Sequence, residues 1–461
     1  MNLSNYFGDR RFYRSMLTIA IPIMIQNAIT NFVALLDNIM VGQVGTIQMS
    51  SVSIVNQLIF VYNLCLFGGT SGAGIFTAQF VGKGDQRGIR YTVRFKLWIT
   101  ALISACAFLI FIFGGEPLIS LYLKGQANAG SAAEALAYGK EYLSVMLVGL
   151  IPFALSNVYS STLRENGETL LPMTAGIAAV AVNLCLNYIL IFGHFGAPAL
   201  GVTGAAIATV ISRFTECFIV IIWTHRHKEK NLYVVGLYRS MRIPAHLVRE
   251  ITVKGTPLLL NEAFWSGGIA MLLQCYSIRG LSVVAAMNIN STLSNIFNIV
   301  FIAMGNTVAI ILGQLLGAGR IREARQAATR MTVFSVLCSA GTGIIMALFH
   351  NIFPDFYNTS AEVRSLAGQF ILVTALLMPL PAFTNASYFT LRSGGKTMIT
   401  FFFDSVYMWV VNVPLAYCLS HFTDLPIVAV YFAVQAAEFV KCVIGFILVK
   451  KGIWLNTIVE E

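Results

Sequence analysis

Seven ionisable residues fall inside long apolar runs of the chain: Asp37, Arg213, Glu216, Glu262, Asp404, Glu438 and Lys441. In hydrocarbon a charge costs at least about 2.5 kcal/mol on insertion scales, so each needs a partner or a task. Asp37 ends a run that also holds Asn27, Thr30 and Asn31, spaced to share one helical face. Read as a helix, the run carries Asp37 about 23 residues in, to the outer half of a membrane. Asn183 and Asn187, four apart on another run, reach similar depth, as does Thr209 on the next. One carboxylate, two amide oxygens and a hydroxyl at one depth would form an oxygen site for a hard cation such as Na⁺. The same carboxylate could instead take a proton.

Glu262 stands five residues after Pro257, beside Asn261 and a turn before Trp265 and Ser266. A carboxylate alone at mid-span is a functional candidate and a plausible proton carrier; the structural alternative is a hydrogen bond to a neighbouring helix. Asp404 lies about seven residues into another run, near Tyr407 and Trp409. It either joins in ion coupling or partners Arg392 or Lys396. Asn27, Asn31, Asn261 and Trp265 are the residues expected to meet a substrate. Arg213 with Glu216, and Glu438 with Lys441, are spaced i, i+3 and read as self-neutralising pairs. No Walker A run, HExxH or GxSxG is present, which excludes ATP hydrolysis and the common hydrolase sites, and no nucleophile–base pair stands out. The eight cysteines lie in apolar runs without CxxC spacing, as small buried apolar residues would. No cofactor is expected.

The elements that must hold these residues are membrane helices. The chain is 57% hydrophobic and 11% charged, where a soluble protein carries about 25% charge. About twelve apolar stretches are long enough to span a bilayer, at about 14–39, 48–78, 92–113, 133–160, 170–192, 200–224, 250–275, 282–313, 328–350, 363–390, 397–419 and 427–449. The net charge of +10 is not a nucleic-acid signature, because of where the charge lies. With a cytoplasmic N-terminus, the inner loops take Lys83, Arg87, Arg90, Arg94 and Lys96, the run from Arg226 to Lys254, and Arg320 to Arg330. The outer loops keep only Lys124, Lys140, Arg279 and Arg364. This asymmetry puts both termini in the cytoplasm.

The chain also repeats itself. Thr162-Leu163-Arg164-x-x-Gly167 returns as Thr390-Leu391-Arg392-x-x-Gly395, 228 residues on (390 − 162). Gln79-x-x-Gly82-x-Gly84 returns as Gln314-x-x-Gly317-x-Gly319, and Pro22 as Pro257, both 235 on. Val182-Asn183 matches Val411-Asn412, and Ala208 and Cys217 match Ala433 and Cys442. The expected architecture is an all-α polytopic membrane protein of two six-helix lobes, 1–224 and 250–461, joined by a basic cytoplasmic loop, 225–249. Six helices per lobe give a parallel repeat about an axis along the membrane normal, an arrangement many secondary transporters use.

These residues resemble the multidrug and toxic compound extrusion transporters. The likeness lies in Asp37 within LLDNIMVGQVG, the loop AQFVGKGDQRG, TLRENGET, VNLCLNYILIFGHFGAPALGVTGAAIAT and the later TLRSGGKT, and it covers essentially all twelve spans. It implies two lobes in a V with a central cleft opening alternately to each side, a plasma-membrane location, and exchange of Na⁺ or H⁺ for organic, often cationic, amphipathic compounds. Small organic substrates and the bilayer are then the partners, with no nucleic acid and no obligatory protein. By the same resemblance Asp37, Asn183, Asn187 and Thr209 form the cation site, and Glu262 stands near a seventh-helix glutamate. The tenth-helix aspartate of some branches is missing, its region being Ala382-Phe383-Thr384-Asn385, and Asp404 would supply the second acid. The main alternative is a flippase for lipids or lipid-linked glycans, which would need basic residues free in the spans. An uncoupled channel or scaffold is the other.

Overall fold

The computed structural model describes residues 6–123, 129–357 and 359–459; Lys124, assigned above to an outer loop, lies outside them. Among the described residues all regular structure is helical. The helices are α1 (Arg10–Gly42), α2 (Thr46–Lys83), α3 (Gln86–Leu123), α4 (Ala129–Val148), α5 (Leu150–Glu165), α6 (Leu170–Phe192), α7 (Gly201–Arg226), α8 (Ala245–Ser277), α9 (Leu281–Gly317), α10 (Ile321–Leu348), α11 (Ala361–Leu377), α12 (Pro379–Ser393), α13 (Thr397–Phe422) and α14 (Ile427–Lys451). Nine are long and apolar enough alone to cross a membrane, and two bent pairs bring the number to eleven. The remaining expected span is α8, 33 residues long, whose apolar run is diluted by Asn261 and Glu262. Phe113, Phe195 and Leu281 are each at least 80% exposed, a surface suited to lipid and not to water.

The chain forms two compact units. The first gathers Ile25–Thr77 and Gln86–Arg249, around a core that includes Leu66, Ile119, Met146 and Ala206. The second gathers Met1–Met24, Ala78–Asp85 and Glu250–Glu461, around Ala286, Phe370, Ile371 and Val430. The start of α1 belongs to this second unit because Ile19 and Ile23 pack on Ala303 and Ile310 of α9.

Two expected spans are not straight. α4 and α5 meet at 46°, and α11 and α12, their counterparts in the repeat, at 50°. Gly149 and Pro152 supply the first break, Pro379 and Pro381 the second, since proline lacks the N–H that helix continuity needs. The carbonyls released there find other donors. Arg213 donates to the Gly149 carbonyl at 3.3 Å, Tyr62 to Leu150 at 3.0 Å, and Ser339 to Met378 at 2.9 Å. Arg213 therefore does not pair with Glu216 as the i, i+3 spacing suggested; its guanidinium also lies 4.8 Å from the centre of the Phe153 ring.

Repeated motifs fold into repeated turns. Gly84 and Gly319 end their helices at φ +77° and +71°, and Gly167 and Gly395 end theirs at +89° and +73°. A left-handed residue at a helix end suits glycine, which has no Cβ to clash. Each turn carries the same long bond: Asp85 N to Phe80 O at 3.0 Å, Arg320 N to Leu315 O at 2.9 Å, Glu168 N to Leu163 O at 2.8 Å and Lys396 N to Leu391 O at 3.3 Å.

Within the second unit the ends of α2 and α9 cross main chain on main chain. Gly82 lies against the carbonyl of Gln314, and Gly317 against the carbonyl of Gln79. The segment after α14 closes over this crossing: Gln79 donates to the Ser393 and Asn456 carbonyls at 2.9 and 3.2 Å and accepts from Ile458 N at 2.8 Å. Thr457 donates to the Leu316 carbonyl at 3.0 Å.

Several basic residues assigned to inner loops lie within helices instead. Arg94 and Lys96 are buried in α3. Arg94 donates to the carbonyls of Gly236, Leu237 and Arg242 at 2.9, 3.0 and 3.1 Å, pinning the 225–249 connection to α3. Lys96 pairs with Glu165 at 2.5 Å.

A valine at position 82 or 317 drives a side chain into a carbonyl that cannot retreat, at a cost of order 1–3 kcal/mol. We expect Gly82→Val and Gly317→Val to lower the melting temperature of the detergent-purified protein by several degrees. An unchanged melting temperature would show the crossing to be loose.

Candidate functional site

The first unit brings the four expected oxygen-bearing residues into one chain. α1 delivers Asp37, α6 delivers Asn183 and Asn187 one turn apart, and α7 delivers Thr209. α6 and α7 form a tight helical pair, with Gly204 seated against the carbonyl of Leu190 where any side chain would collide. That close approach lets the short Asn183 and Thr209 side chains meet. The Asn187 amide donates to Asp37 Oδ1 at 2.6 Å and to Asn183 Oδ1 at 3.0 Å. Asn183 donates to Thr209 Oγ1 at 3.4 Å. Both N–H groups of Asn187 are thus used, while its carbonyl Oδ1 is buried without a partner. Among the described residues no cation pairs with Asp37. The arrangement is a carboxylate held by one neutral donor, next to an orphaned amide oxygen.

Asn27 and Asn31 do not join this cluster. They lie two to three turns earlier on α1; Asn27 is about 15 Å along the axis from Asp37. Asn27 is half-buried and Asn31 exposed.

The second unit holds the other expected acids, in a different setting. Asp404 lies on α13, in the first of two successive π-helical stretches, Phe402–Val406 and Met408–Asn412. Such stretches are uncommon and widen a helix locally. Its cationic partner is neither Arg392 nor Lys396 but Lys441 of α14, whose Nζ lies 2.7 Å from Asp404 Oδ1. Lys441 also stands 3.7 Å from Glu438 Oε2, so the expected i, i+3 pair forms as one arm of a triad. Sequence spacing missed the Asp404 arm because i, i+3 reasoning finds only partners on the same helix. Asn261 of α8 is 3% exposed. It donates to Asp404 Oδ2 at 3.1 Å and to Tyr388 at 3.4 Å, and accepts from Ser405 at 2.7 Å. It packs α8 against α12 and α13 here, with its amide nitrogen and its carbonyl oxygen both engaged by protein groups. Trp265, one turn on, is 41% exposed. Glu262, half-buried, receives no hydrogen bond or ion pair among the described residues. Among the described residues no cluster of His, Cys, Asp and Glu could hold a metal ion by those ligands.

A helical membrane protein with paired bends, paired turns and polar chains buried in each unit belongs to the class of internally repeated membrane carriers. Comparison with known proteins makes this specific: the MatE family matches residues 22–189 and 257–418, and the chain belongs to that family of transporters. It is 24% identical over 446 residues to the Probable multidrug resistance protein NorM of Thermotoga maritima, covering 96% of this chain and 93% of that one. It is likewise 24% identical over 408 residues to the Multidrug resistance protein MdtK of Yersinia pestis, covering 88% and 87%. Among solved structures it is similar to an outward-facing multidrug resistance MATE family transporter of the MOP superfamily, with TM-score 0.84 at 18% identity and 98% and 97% coverage. A MATE solved in complex with MaL6 gives TM-score 0.83 at 19% identity, covering 98% of each chain.

A hydrogen bond to a charged group contributes about 1.5–3 kcal/mol. A double-mutant cycle of Asp37→Ala and Asn187→Ala, read by chemical unfolding in detergent, should return a coupling of that size. A coupling below about 0.5 kcal/mol would mean that the two side chains act independently.

Proposed function

We propose that the chain is an ion-coupled antiporter that exports organic, often cationic and amphipathic, compounds across the plasma membrane by alternating access, exchanging them for Na⁺ or H⁺. The observation that carries the reading is the Asp37–Asn187–Asn183–Thr209 chain in a member of the MatE family. The names of the relatives, multidrug resistance proteins, support the substrate class. The distribution of basic residues supports cytoplasmic termini, and the lobes 1–224 and 250–461, joined by 225–249, are the halves that would move.

The coupling step follows from the hydrogen bonds. Asp37 now accepts from the amide of Asn187. An arriving Na⁺ would need oxygen there, so the amide must turn and present its orphaned Oδ1; Asn183 and Thr209 then offer two further oxygens. An arriving proton would convert Asp37 from acceptor to donor, and the turned Oδ1 would receive that bond. Either ion trades one hydrogen-bond pattern on α1, α6 and α7 for another and cancels the charge that would hold a cationic substrate. An ion that binds the two patterns with different affinity shifts the conformational equilibrium, and only such an ion can. Glu262, which receives no hydrogen bond or ion pair among the described residues, is the second acid proposed to exchange. Trp265 is proposed as a substrate contact, and Asn27 and Asn31 as polar ones.

Export of lipid-linked pyrophosphate would require free cations in the spans. The two expected there, Arg213 and Lys441, are engaged with the Gly149 carbonyl and with Asp404.

The test is efflux of a fluorescent cationic dye from proteoliposomes under separately imposed Na⁺ and H⁺ gradients. Wild type should move dye against one gradient, and Asp37→Asn should reduce the rate at least tenfold, with Glu262→Gln run in parallel. Normal gradient-driven transport by both variants would overturn the coupling assignment.

A further inference from the structure

The Asp404–Lys441–Glu438 triad is not used in the step above, and its geometry is closed. Three of its four carboxylate oxygens accept a hydrogen bond, and the fourth faces the Lys441 ammonium at ion-pair distance. Asp404 Oδ1 faces Lys441 at 2.7 Å and Oδ2 faces Asn261 at 3.1 Å. Glu438 Oε1 accepts from Asn412 at 3.2 Å, and Oε2 faces Lys441 at 3.7 Å. The Lys441 side chain is 8% exposed, and its Nζ also stands 5.4 and 5.9 Å from the ring centres of Phe403 and Tyr407. Four helices converge on it: α8 through Asn261, α12 through Tyr388, α13 through Asp404, Ser405 and Asn412, and α14 itself. A mobile cation entering here must displace an ammonium that is covalently tethered and cannot leave, stranding a buried lysine without its acids.

The equivalent place in the first unit is built the other way round. At the 225-residue offset of the Ala208–Ala433 match, Glu438 corresponds to Arg213 and Lys441 to Glu216. Elsewhere in that unit Asp37 pairs with no basic side chain among the described residues, and the hydrogen bond it accepts comes from the neutral amide of Asn187.

We propose that Lys441 is a resident counter-cation: it occupies, between Asp404 and Glu438, the place a Na⁺ would take, so that this pair of acids does not exchange ions with the medium. The proposal rests on the ion-coupling reading and sharpens it. It makes Lys441 the residue that decides where in this chain an ion is accepted, and it withdraws Asp404 from the coupling set while leaving Asp37 and Glu262 in it.

The test uses charge-balanced variants of the full chain. In the native triad the charges sum to −1 (two acids, one lysine); in Asp404→Asn/Lys441→Met, Glu438 alone gives −1 as well. We expect the double variant to keep gradient-driven dye efflux within about twofold of wild type, in the assay where Asp37→Asn loses it. A double variant that elutes and melts like wild type yet loses efflux tenfold would overturn the proposal. A second arm needs no transport. With Asp37→Asn as background, the protein retaining Lys441 should show no Asp404-dependent rise in melting temperature when Na⁺ is added, whereas adding Lys441→Met should create one. A Na⁺-induced rise in the Lys441-containing protein that vanishes with Asp404→Asn would equally overturn it. Failure of wild type to transport dye under either gradient bears on the coupling reading alone, and the thermal arm still decides the role of Lys441.

Discussion

A charge placed among apolar side chains and lipid has no water to stabilise it, and the cations Lys96, Arg94, Arg213 and Lys441 answer that demand in a recognisable way. Lys96 lies against Glu165, Lys441 between two carboxylates, and Arg213 over an aromatic face with a main-chain carbonyl at its tip. Arg94 is surrounded by three carbonyls of the connection between the halves. Once these are set aside, Asp37, Glu216 and Glu262 are the intramembrane acids without an ion pair among the described residues, and Asp37 is the one of them that heads a built polar chain through Asn187, Asn183 and Thr209. Internal neutralisation elsewhere is therefore part of how the candidate site is defined.

The same demand shapes the backbone. Bending a membrane helix exposes carbonyls that the next turn would have covered, and in hydrocarbon these must find donors. The bends at α4–α5 and α11–α12 are met by donors of different kinds: arginine and tyrosine in one half, serine in the other. The geometry is repeated while the chemistry that supports it is not. Two halves descended from one repeat have kept a shape and replaced its supports, and Arg213 was drawn into that structural task and away from Glu216.

Much of this was legible in the linear chain because it is local. Apolar run length gives the spans; the recurrence of Pro22, Gly82 and Arg164 gives the halves; one-turn spacing on α6 with depth counting places Asn183 and Asn187 beside Asp37. What resisted reading depends on contacts between distant segments. The Asp404 partner lies 37 residues away on another helix, approached from a π-helical stretch whose periodicity a 3.6-residue rule does not anticipate. Asn261 looked available because it stands beside Glu262 and a turn from Trp265 in an apolar run; only the positions of Tyr388, Ser405 and Asp404 reveal that its amide is engaged. Arg94 and Lys96 looked like loop charges because they continue a basic run with Lys83, Arg87 and Arg90 into the start of the apolar stretch; their partners, Glu165 and the carbonyls of the 225–249 connection, lie far off in the chain.

The crossing of α2 and α9 has an evolutionary corollary. Gly82 on Gln314 and Gly317 on Gln79 meet through main-chain atoms, which every residue type carries alike. Such a joint asks something of two positions and nearly nothing of the side chains around it. Surrounding sequence is then free to diverge while the joint stays in register, and a lineage can exchange most of its residues without redesigning the place where these two helices touch. Divergence should run fastest where packing is made by side chains and stall at the two glycines, whose replacement has no small intermediate step.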